Sequence, residues 1–429
     1  MPKFKMIFLL TLVLFCSSSL FATEYYINKN DDKTCTITSY RGNGEDLKIP
    51  STIDGYKVTS TEDSAFSFCG SLKSITIPES VTTIGNSAFS FCDSLASIKV
   101  DEKNTTYAQI QGVLFDKINK SLHTFPAGSE FTTYSIPSGI VRIENDAFAG
   151  SKKLKQITIP ESVTTIGDYA FLYCGLLKSI FIPESVTTIG DGAFSLCWSL
   201  ENIKVDEKNT TYTQIQGVLF DTIKKGLHTF PAGSELTAYS IPNGIVRIET
   251  DAFAGSENLK QITIPESVTT IDNSAFSGCG SLKIITIPKS VTTISDNTFF
   301  GCDSLKSITM PEGITTIGAG AFYGCESLKS ITIPKSVTAI GDNAFSFCES
   351  LKSITIPEGV TTVGDGTFRR CESLESITLP ESVTTIGSNI FYGCDNLKEI
   401  HVQEGSYAYN YLMETKYFDL LVCPPSWLL

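Results

Sequence analysis

The sequence predicts a mainly β repeat solenoid, in which short coils stack along one axis and share a continuous core. A 23-residue unit recurs along most of the chain, and its clearest run keeps Pro and Cys in fixed register. The prolines lie at 265, 288, 311, 334, 357 and 380, and the cysteines at 279, 302, 325, 348, 371 and 394. A fixed period of this length indicates a solenoid, because a single unit cannot bury its apolar residues alone.

Each unit divides into two short strands and a turn. One copy, residues 72–94, reads LKSITIPESVTTIGNSAFSFCDS, and we number its repeat positions 1–23 from the Leu. LKSITIP predicts a strand that ends at Pro, which cannot donate to a ladder, and VTTIG predicts a second short strand. AFSFC predicts a compact helical or 3₁₀ turn with its Phe in the core. Eight side chains should face the interior: Leu72, Ile75, Ile77, Val81, Ile84, Ala88, Phe89 and Cys92.

The repeat predicts a solenoid over residues 44–402, with irregular inserts at 95–130 and 200–235. The inserts belong to a duplicated block, since residues 101–167 and 206–272 are nearly identical. Each insert has two strand-like runs, 112–116 and 122–125 in the first, which predict irregular coils or a hairpin within the stack.

Both ends of the solenoid need covering, because an open edge invites aggregation. Residues 23–43 predict an N-terminal β cap, and residues 403–429 predict a C-terminal cap helix followed by an apolar tail.

Residues 1–22 have the pattern of a signal peptide. Lys3 and Lys5 precede an apolar stretch that is too short to span a bilayer, and small residues follow it. Cleavage after Ala22 is expected, with cleavage after Ser19 as the alternative. A lipoprotein modified at Cys16 is less favoured, because Phe15 occupies a site where such signals have a small residue. The chain is therefore expected to be secreted, extracellular or held at the cell surface.

The composition argues against several classes of function. The net charge is −13, which lacks the basic footprint of a nucleic-acid-binding protein. The three His residues are too few for a metal or catalytic centre, and no hydrolase, metalloprotease or nucleotide-binding motif is present. We therefore expect no enzymatic activity, no metal and no cofactor. We also expect a monomer whose mature chain has no transmembrane span.

Ten of the 13 cysteines lie at repeat position 21. Neighbouring coils would bring their Cα atoms within disulfide range, but in-register side chains point in parallel, which is the wrong geometry. Ser151 and Ser256 fill the same position in two coils, so the site accepts a small, partly polar residue. Buried free thiols are expected, and some disulfides or a metal remain alternatives.

The recurring motifs L-x-x-I-x-I-P and V-x-x-I-G-x-x-A-F-x-x-C resemble the treponemal-type, 23-residue leucine-rich repeat of BspA-like bacterial surface proteins. The resemblance covers about residues 44–402 and includes the opening at residues 46–59 and the G-V-L-F-D and F-P-A-G motifs of the inserts. It implies a horseshoe or arc with a parallel sheet on one face and short strands and helical or 3₁₀ turns on the other. It also implies adhesion to host matrix proteins, co-aggregation and immune stimulation, and it assigns no catalytic residue.

Ser, Thr and Lys dominate the repeat positions that should face outward from the sheet, so departures from that pattern are the informative residues. Phe181 replaces a Thr, Ile284 replaces a Ser, and Arg369-Arg370 replaces residues that are mostly small or aromatic. Exposed apolar groups on a polar sheet are typical interface anchors. The candidate binding residues assigned to the sheet face are Phe181, Ile284, Thr263, Thr286, Thr309, Thr332, Thr355, Arg369 and Arg370.

Together these features predict a secreted or cell-surface protein that binds another protein, such as a host matrix or serum protein or a component of another cell's surface. The alternative is a structural or periplasmic interaction scaffold that has no host ligand.

Overall fold

The computed structural model describes residues 24–423, which form a β-solenoid of about 17 turns with very little helix. The predicted signal peptide, including Cys16, lies outside the described residues, as do residues 424–429 of the predicted tail.

Where a coil has a first strand, it occupies repeat positions 3–5 or 3–6, and these strands form parallel sheet segments on one side of the solenoid, which we call the sheet face. Equivalent residues pair in register, so that Ile75 lies opposite Ile98. The first strands are β3 (Asp46–Lys48), β6 (Ser74–Ile77), β8 (Ser97–Val100), β12 (Thr133–Ser135), β14 (Gln156–Thr158), β16 (Ser179–Ile182), β18 (Asn202–Val205), β22 (Ala238–Ser240), β24 (Gln261–Thr263), β26 (Ile284–Thr286), β28 (Ser307–Thr309), β31 (Ser353–Thr355), β33 (Ser376–Thr378) and β35 (Glu399–His401).

The second strand of each coil is shorter and forms a separate parallel ladder. Most of these strands are the two residues at positions 12 and 13, and the apolar one faces the core. The second strands are β5 (Tyr56–Thr61), β7 (Thr83–Ile84), β13 (Arg142–Ile143), β15 (Thr165–Ile166), β17 (Thr188–Ile189), β23 (Arg247–Ile248), β25 (Thr270–Ile271), β27 (Thr293–Ile294), β29 (Thr316–Ile317), β30 (Ala339–Ile340), β32 (Thr362–Val363) and β34 (Thr385–Ile386).

A tight turn closes each coil, and we call this part of the surface the turn side. It contains i→i+3 hydrogen bonds of the 3₁₀ type, such as the one from the Cys174 N–H to the Phe171 carbonyl (3.1 Å). Left-handed residues at repeat positions 16 and 20, such as Tyr169 (φ 54°) and Tyr173 (φ 59°), interrupt that pattern. Because left-handed residues do not continue a right-handed helix, the segment remains a turn.

The predicted core is confirmed, since all eight interior residues of the copy at 72–94 are buried. The Phe of each turn is the largest contribution, and within each run of coils between the inserts its ring stacks on the Phe rings of the adjacent coils. The Phe322 ring, for example, lies 5.4 Å from that of Phe299 and 5.3 Å from that of Phe345, with nearly parallel planes. A column of aromatic rings therefore links successive coils, which ties each coil to its neighbours.

The cysteines of the repeat ladder are free thiols, as predicted, and those from Cys92 to Cys394 are buried. Each of these Sγ atoms lies within hydrogen-bonding distance of the Phe carbonyl of the preceding coil, as Cys302 does with Phe276 (3.2 Å). The Phe276 carbonyl also accepts a hydrogen bond from the Cys279 N–H of the same turn (3.2 Å). The Cys302 thiol therefore uses the second lone pair of the Phe276 oxygen. This contact explains why a small, partly polar residue fills position 21.

Each insert adds a three-stranded antiparallel unit to the stack. The prediction of a hairpin is confirmed, but each insert has two strands more than its sequence indicated: a regular first strand (β8 or β18) and the first strand of the three-stranded unit. The strands are β9 (Tyr107–Ile110), β10 (Val113–Asp116) and β11 (Ser121–Thr124) in the first insert, and β19 (Tyr212–Ile215), β20 (Val218–Asp221) and β21 (Gly226–Thr229) in the second. β11 and β21 pair with β13 and β23 and so join the ladder of second strands.

The ladder of second strands is interrupted between β7 and β11, where the first insert enters, and two side chains bridge this gap. The Tyr107 hydroxyl accepts a hydrogen bond from the Ile84 N–H (2.8 Å), and His123 Nε2 lies 3.3 Å from the Ile84 carbonyl. Because a carbonyl can only accept, Nε2 carries the proton and Nδ1 accepts from the Thr124 hydroxyl (2.8 Å). Burial lowers the pKa of His123, so the ring is neutral in the fold. Tyr212 and His228 make the same two contacts with Ile189.

The described ends of the solenoid are covered by different elements. At the N-terminus, β1 (Glu24–Lys29) and β2 (Thr34–Arg41) form an antiparallel hairpin on β5, and β4 (Thr52–Ile53) pairs with the other side of β5. At the C-terminus, α1 (Tyr407–Met413) is N-capped by Ser406 and is followed by a 3₁₀ turn (Phe418–Leu420) and β36 (Leu421–Val422). β36 pairs with β35 and extends the last sheet segment.

Candidate binding surface

The threonine column lies on the sheet face, and all five candidate threonines are exposed. Register places Thr286 directly opposite Thr309, and Thr355 opposite Thr378. Thr side chains favour strands, and their hydroxyls give the sheet a polar surface that can donate and accept hydrogen bonds. The column is therefore a regular platform without a chemical centre of its own.

Phe181 and Ile284 interrupt this polar platform. Their side chains are 44% and 58% exposed, although both residue types are usually buried. Phe181 lies in register with Lys204, and Ile284 lies in register with Gln261 and Ser307. Each apolar side chain is therefore flanked by polar neighbours on the sheet, and the two occupy separate sheet segments.

The structure brings Thr332 and Thr355 together in a shallow groove of about 620 Å³. The coil that starts at Leu328 has no first strand, because residues 330–333 do not pair with the adjacent strands. Its second strand β30 pairs normally, so the opening is confined to the sheet face. The polar residues of the groove are Ser330, Thr332, Lys335, Ser353, Thr355, Glu358 and Thr378.

The turns of the β9–β10 and β19–β20 hairpins also reach the sheet face. The N–H of Ile98 in β8 donates to the Gly112 carbonyl (2.8 Å), so Gly112 occupies the place where the next first strand would pair. Ile110 and Ile215 lie beside these turns and are 47% and 45% exposed. Sequence reasoning missed both residues, although the Gln-Gly turn beside each Ile was a usable signal.

Arg369 and Arg370 are not on the sheet face, which corrects the sequence-based assignment. They occupy repeat positions 19 and 20 and lie in the turn that follows β32. The guanidinium carbon of Arg369 lies 5.2 Å from the centre of the Tyr392 ring, and that of Arg370 lies 5.8 Å from the Phe347 ring. The arginines and the threonine column therefore belong to different surfaces.

Comparison with known protein families assigns this architecture. The model of the BspA-type leucine-rich repeat region matches residues 43–127, 117–224, 222–352 and 315–415. The chain belongs to the BspA-type leucine-rich repeat family. No match was found among curated proteins.

Solved structures similar to this BspA-type chain include two that are described as leucine-rich proteins. One from Eubacterium ventriosum is 24% identical with a TM-score of 0.55, and the match covers 88% of this chain and 94% of that one. The pneumococcal vaccine antigen PcpA is 21% identical with a TM-score of 0.51, and the match covers 94% and 97% of the two chains. A leucine-rich cell surface protein from Faecalibacterium prausnitzii is 28% identical with a TM-score of 0.48, and the match covers 91% and 97%.

The strongly perturbed acidic groups of this BspA-type chain lie on the turn side. Burial raises the pKa of Asp251 to about 6, and the nearby Asp191 adds to the effect. Burial likewise raises the pKa of Asp303 to about 6, and the negative charge of Glu326 adds to the effect. Among residues 24–423, no group of three or more His, Cys, Asp or Glu side chains could hold a metal ion. Asp251 and Asp303 occupy different repeat positions, 16 and 22, in separate coils.

Asn104, Asn119 and Asn209 each begin an Asn-x-Ser/Thr sequence, the acceptor for N-glycosylation, and they differ in side-chain exposure. Asn104 is buried, and its amide donates to the Pro78 and Val81 carbonyls (2.9 and 2.8 Å). Asn209 makes the equivalent contacts in the second insert, whereas Asn119 is exposed. Asn104 and Asn209 therefore serve the fold, since their amides hold the preceding coil.

Proposed function

We propose that this BspA-type leucine-rich repeat protein acts at the cell surface or outside the cell by binding a protein partner through its sheet face. The partner class is a host matrix or serum protein or a surface protein of another cell, so the activity is adhesion. The observation that carries the proposal is the exposure of Phe181 and Ile284 among the polar side chains of the first strands.

The physical argument rests on how binding energy is distributed over protein interfaces. Exposed Ser and Thr columns give complementarity and hydrogen bonds, but each contact contributes little after water is displaced. A few apolar or aromatic residues usually contribute most of the binding free energy. Phe181 and Ile284 are the exposed large apolar residues of the described first strands, so they are the expected anchors.

The location is proposed from the signal-peptide pattern of residues 1–22 together with the family. Among residues 24–423, none of the helices has the length and apolar character needed to cross a bilayer.

The test is a binding assay with the full mature chain and immobilised fibronectin, fibrinogen, collagen and serum proteins. The variant Phe181→Thr/Ile284→Ser restores the residue types common at those repeat positions, so the fold should be retained. We expect it to weaken any binding by at least tenfold, since anchor residues commonly contribute about 2 kcal/mol each.

The matched control is Ile118→Ser/Ile223→Ser, which removes two equally apolar side chains that are 71% and 74% exposed in the turns between β10 and β11 and between β20 and β21. This control should bind as the wild type does. Unchanged binding by the Phe181→Thr/Ile284→Ser variant, with unchanged circular dichroism, would refute the anchor assignment.

A second experiment separates an adhesin from a periplasmic scaffold. Intact cells are treated with protease, and the chain is detected by immunoblotting beside a known periplasmic protein. An adhesin should be degraded while the periplasmic marker survives. Protection of both proteins would contradict the proposed location.

A further inference from the structure

A strip of aromatic rings and arginines follows the turn side of the C-terminal coils. Phe300 and Tyr323 stack with ring centres 4.8 Å apart, and Tyr323 contacts Phe347 at 5.0 Å. Arg370 lies over Phe347, and Arg369 lies over Tyr392 in the next coil. We name these six residues the arginine–aromatic strip. It crosses five coils, or roughly 20 Å at a strand spacing of about 4.8 Å.

The two guanidinium groups are held in defined positions. Each guanidinium lies over an aromatic ring, Arg370 on the preceding coil and Arg369 on the following one. Because the rings already restrict the two side chains, little further conformational entropy is lost when they bind a ligand. The chain has only five arginines, and two of the others, Arg142 and Arg247, pair with carboxylates of Glu144 and Asp272. The adjacent pair in the strip is therefore a concentrated positive feature on an acidic protein.

The surroundings limit the kind of anion that fits. Glu326, Glu372 and Asp395 are exposed at repeat position 22, close in sequence to the strip, and the whole chain carries a net charge of −13. A long, uniformly charged polyanion would be repelled by these carboxylates. A short segment with local acidic groups and apolar side chains would place its carboxylates on the arginines and its apolar groups on Tyr323, Phe347 and Tyr392.

We propose that the arginine–aromatic strip is a second docking surface, separate from the sheet face, for an acidic protein segment that also carries apolar or aromatic side chains. Guanidinium groups bind carboxylates in a bidentate geometry, and the neighbouring rings cover the apolar groups between them. An extended segment of about six residues is as long as the strip.

The test uses a fluorescein-labelled ten-residue peptide in which two Asp-Glu pairs flank a central Leu-Phe pair. A second peptide has Asn-Gln in place of each Asp-Glu pair, and a heparin oligosaccharide represents a uniform polyanion. Binding to the full mature chain is measured by fluorescence anisotropy at low and moderate salt. The variant Arg369→Ser/Arg370→Gly reproduces the Ser277-Gly278 pair of another coil, so the turn should remain folded.

The charge-matched control is Lys329→Gln/Lys352→Gln, which removes two exposed positive charges from the same coils at repeat position 2. We expect the acidic peptide to bind, the arginine variant to weaken it about tenfold or more, and the lysine control to bind nearly as the wild type does. The amide peptide and heparin should bind poorly.

The proposal is overturned if the acidic peptide does not bind, if both variants weaken it equally, or if heparin binds in preference to it. The Phe181→Thr/Ile284→Ser variant keeps all six residues of the arginine–aromatic strip, so it should bind the acidic peptide as the wild type does. The two proposals can therefore fail independently.

Discussion

Replacing Tyr107 by Phe should destabilise the solenoid by about 2 kcal/mol, because it removes one oxygen that bridges the interrupted ladder. The Tyr107 hydroxyl accepts the Ile84 N–H at 2.8 Å in a buried site. The Phe variant leaves that N–H buried without a partner, which costs about 1–3 kcal/mol. Urea unfolding followed by circular dichroism measures the change, and Tyr212→Phe should reproduce it through Ile189 in the second block.

The chain offers a matched control for this substitution. Tyr134 is as buried as Tyr107, but its hydroxyl has no hydrogen-bond partner among the described residues, and Tyr239 repeats the arrangement. Removing an unpaired buried hydroxyl should leave stability unchanged or raise it. Equal destabilisation by Tyr107→Phe and Tyr134→Phe would refute the bridging role. It would show that the hydrogen bond to Ile84 adds nothing to the effect of removing a buried hydroxyl.

Three further outcomes follow from the core and the inserts. Phe322→Ala should lower the unfolding free energy by about 3–5 kcal/mol, and Phe322→Leu by less, because the Ala variant opens a cavity between two rings; urea denaturation measures both. A thiol reagent should label the exposed Cys423 rapidly in the native chain and the buried Cys325 only in urea. Burial lowers the pKa of His123, so the contribution of this residue to stability should fall as pH drops below about 6.5, by at most about 1.4 kcal/mol per pH unit. Asp251 and Asp303 act in the opposite direction, so the contribution is measured as the difference between the wild type and His123→Gln in urea titrations at several pH values.

The regular coils could be read from the sequence because each repeat position has one environment. The repeat positions of Ile75 and Phe89 are apolar in nearly every copy, so they were predicted to face inward. The same register predicted that Phe181 and Ile284 face outward. The turn was less predictable. Residues as bulky as Tyr173 adopt left-handed backbone there, a conformation that sequence alone assigns to Gly.

The inserts could be predicted only in outline, because they occur twice and supply little periodicity. β9 was missed since three of its four residues are at least partly exposed, so it lacks the apolar pattern of a buried strand. The roles of Tyr107 and His123 depend on a contact with Ile84, which lies 23 and 39 residues earlier. Arg369 and Arg370 were assigned to the wrong surface although their repeat positions, 19 and 20, lie in the segment predicted as the turn, because they were grouped with the other exceptions to the repeat.

The spacing of the two proposed anchors constrains the partner of the sheet face. Between β16, which carries Phe181, and β26, which carries Ile284, the stack contains β18, the hairpin turn at Gly217, β22 and β24, which belong to two separate sheet segments. That is five strand spacings, or roughly 24 Å. A standard interface covers about 800 Å² on each partner, so one globular partner could reach both side chains only by covering the second insert as well. Because residues this far apart do not contact each other, the effects of Phe181→Thr and Ile284→Ser should add if one partner spans both. If only one of the two substitutions weakens binding, the partner is confined to a single sheet segment, and the insert marks its boundary.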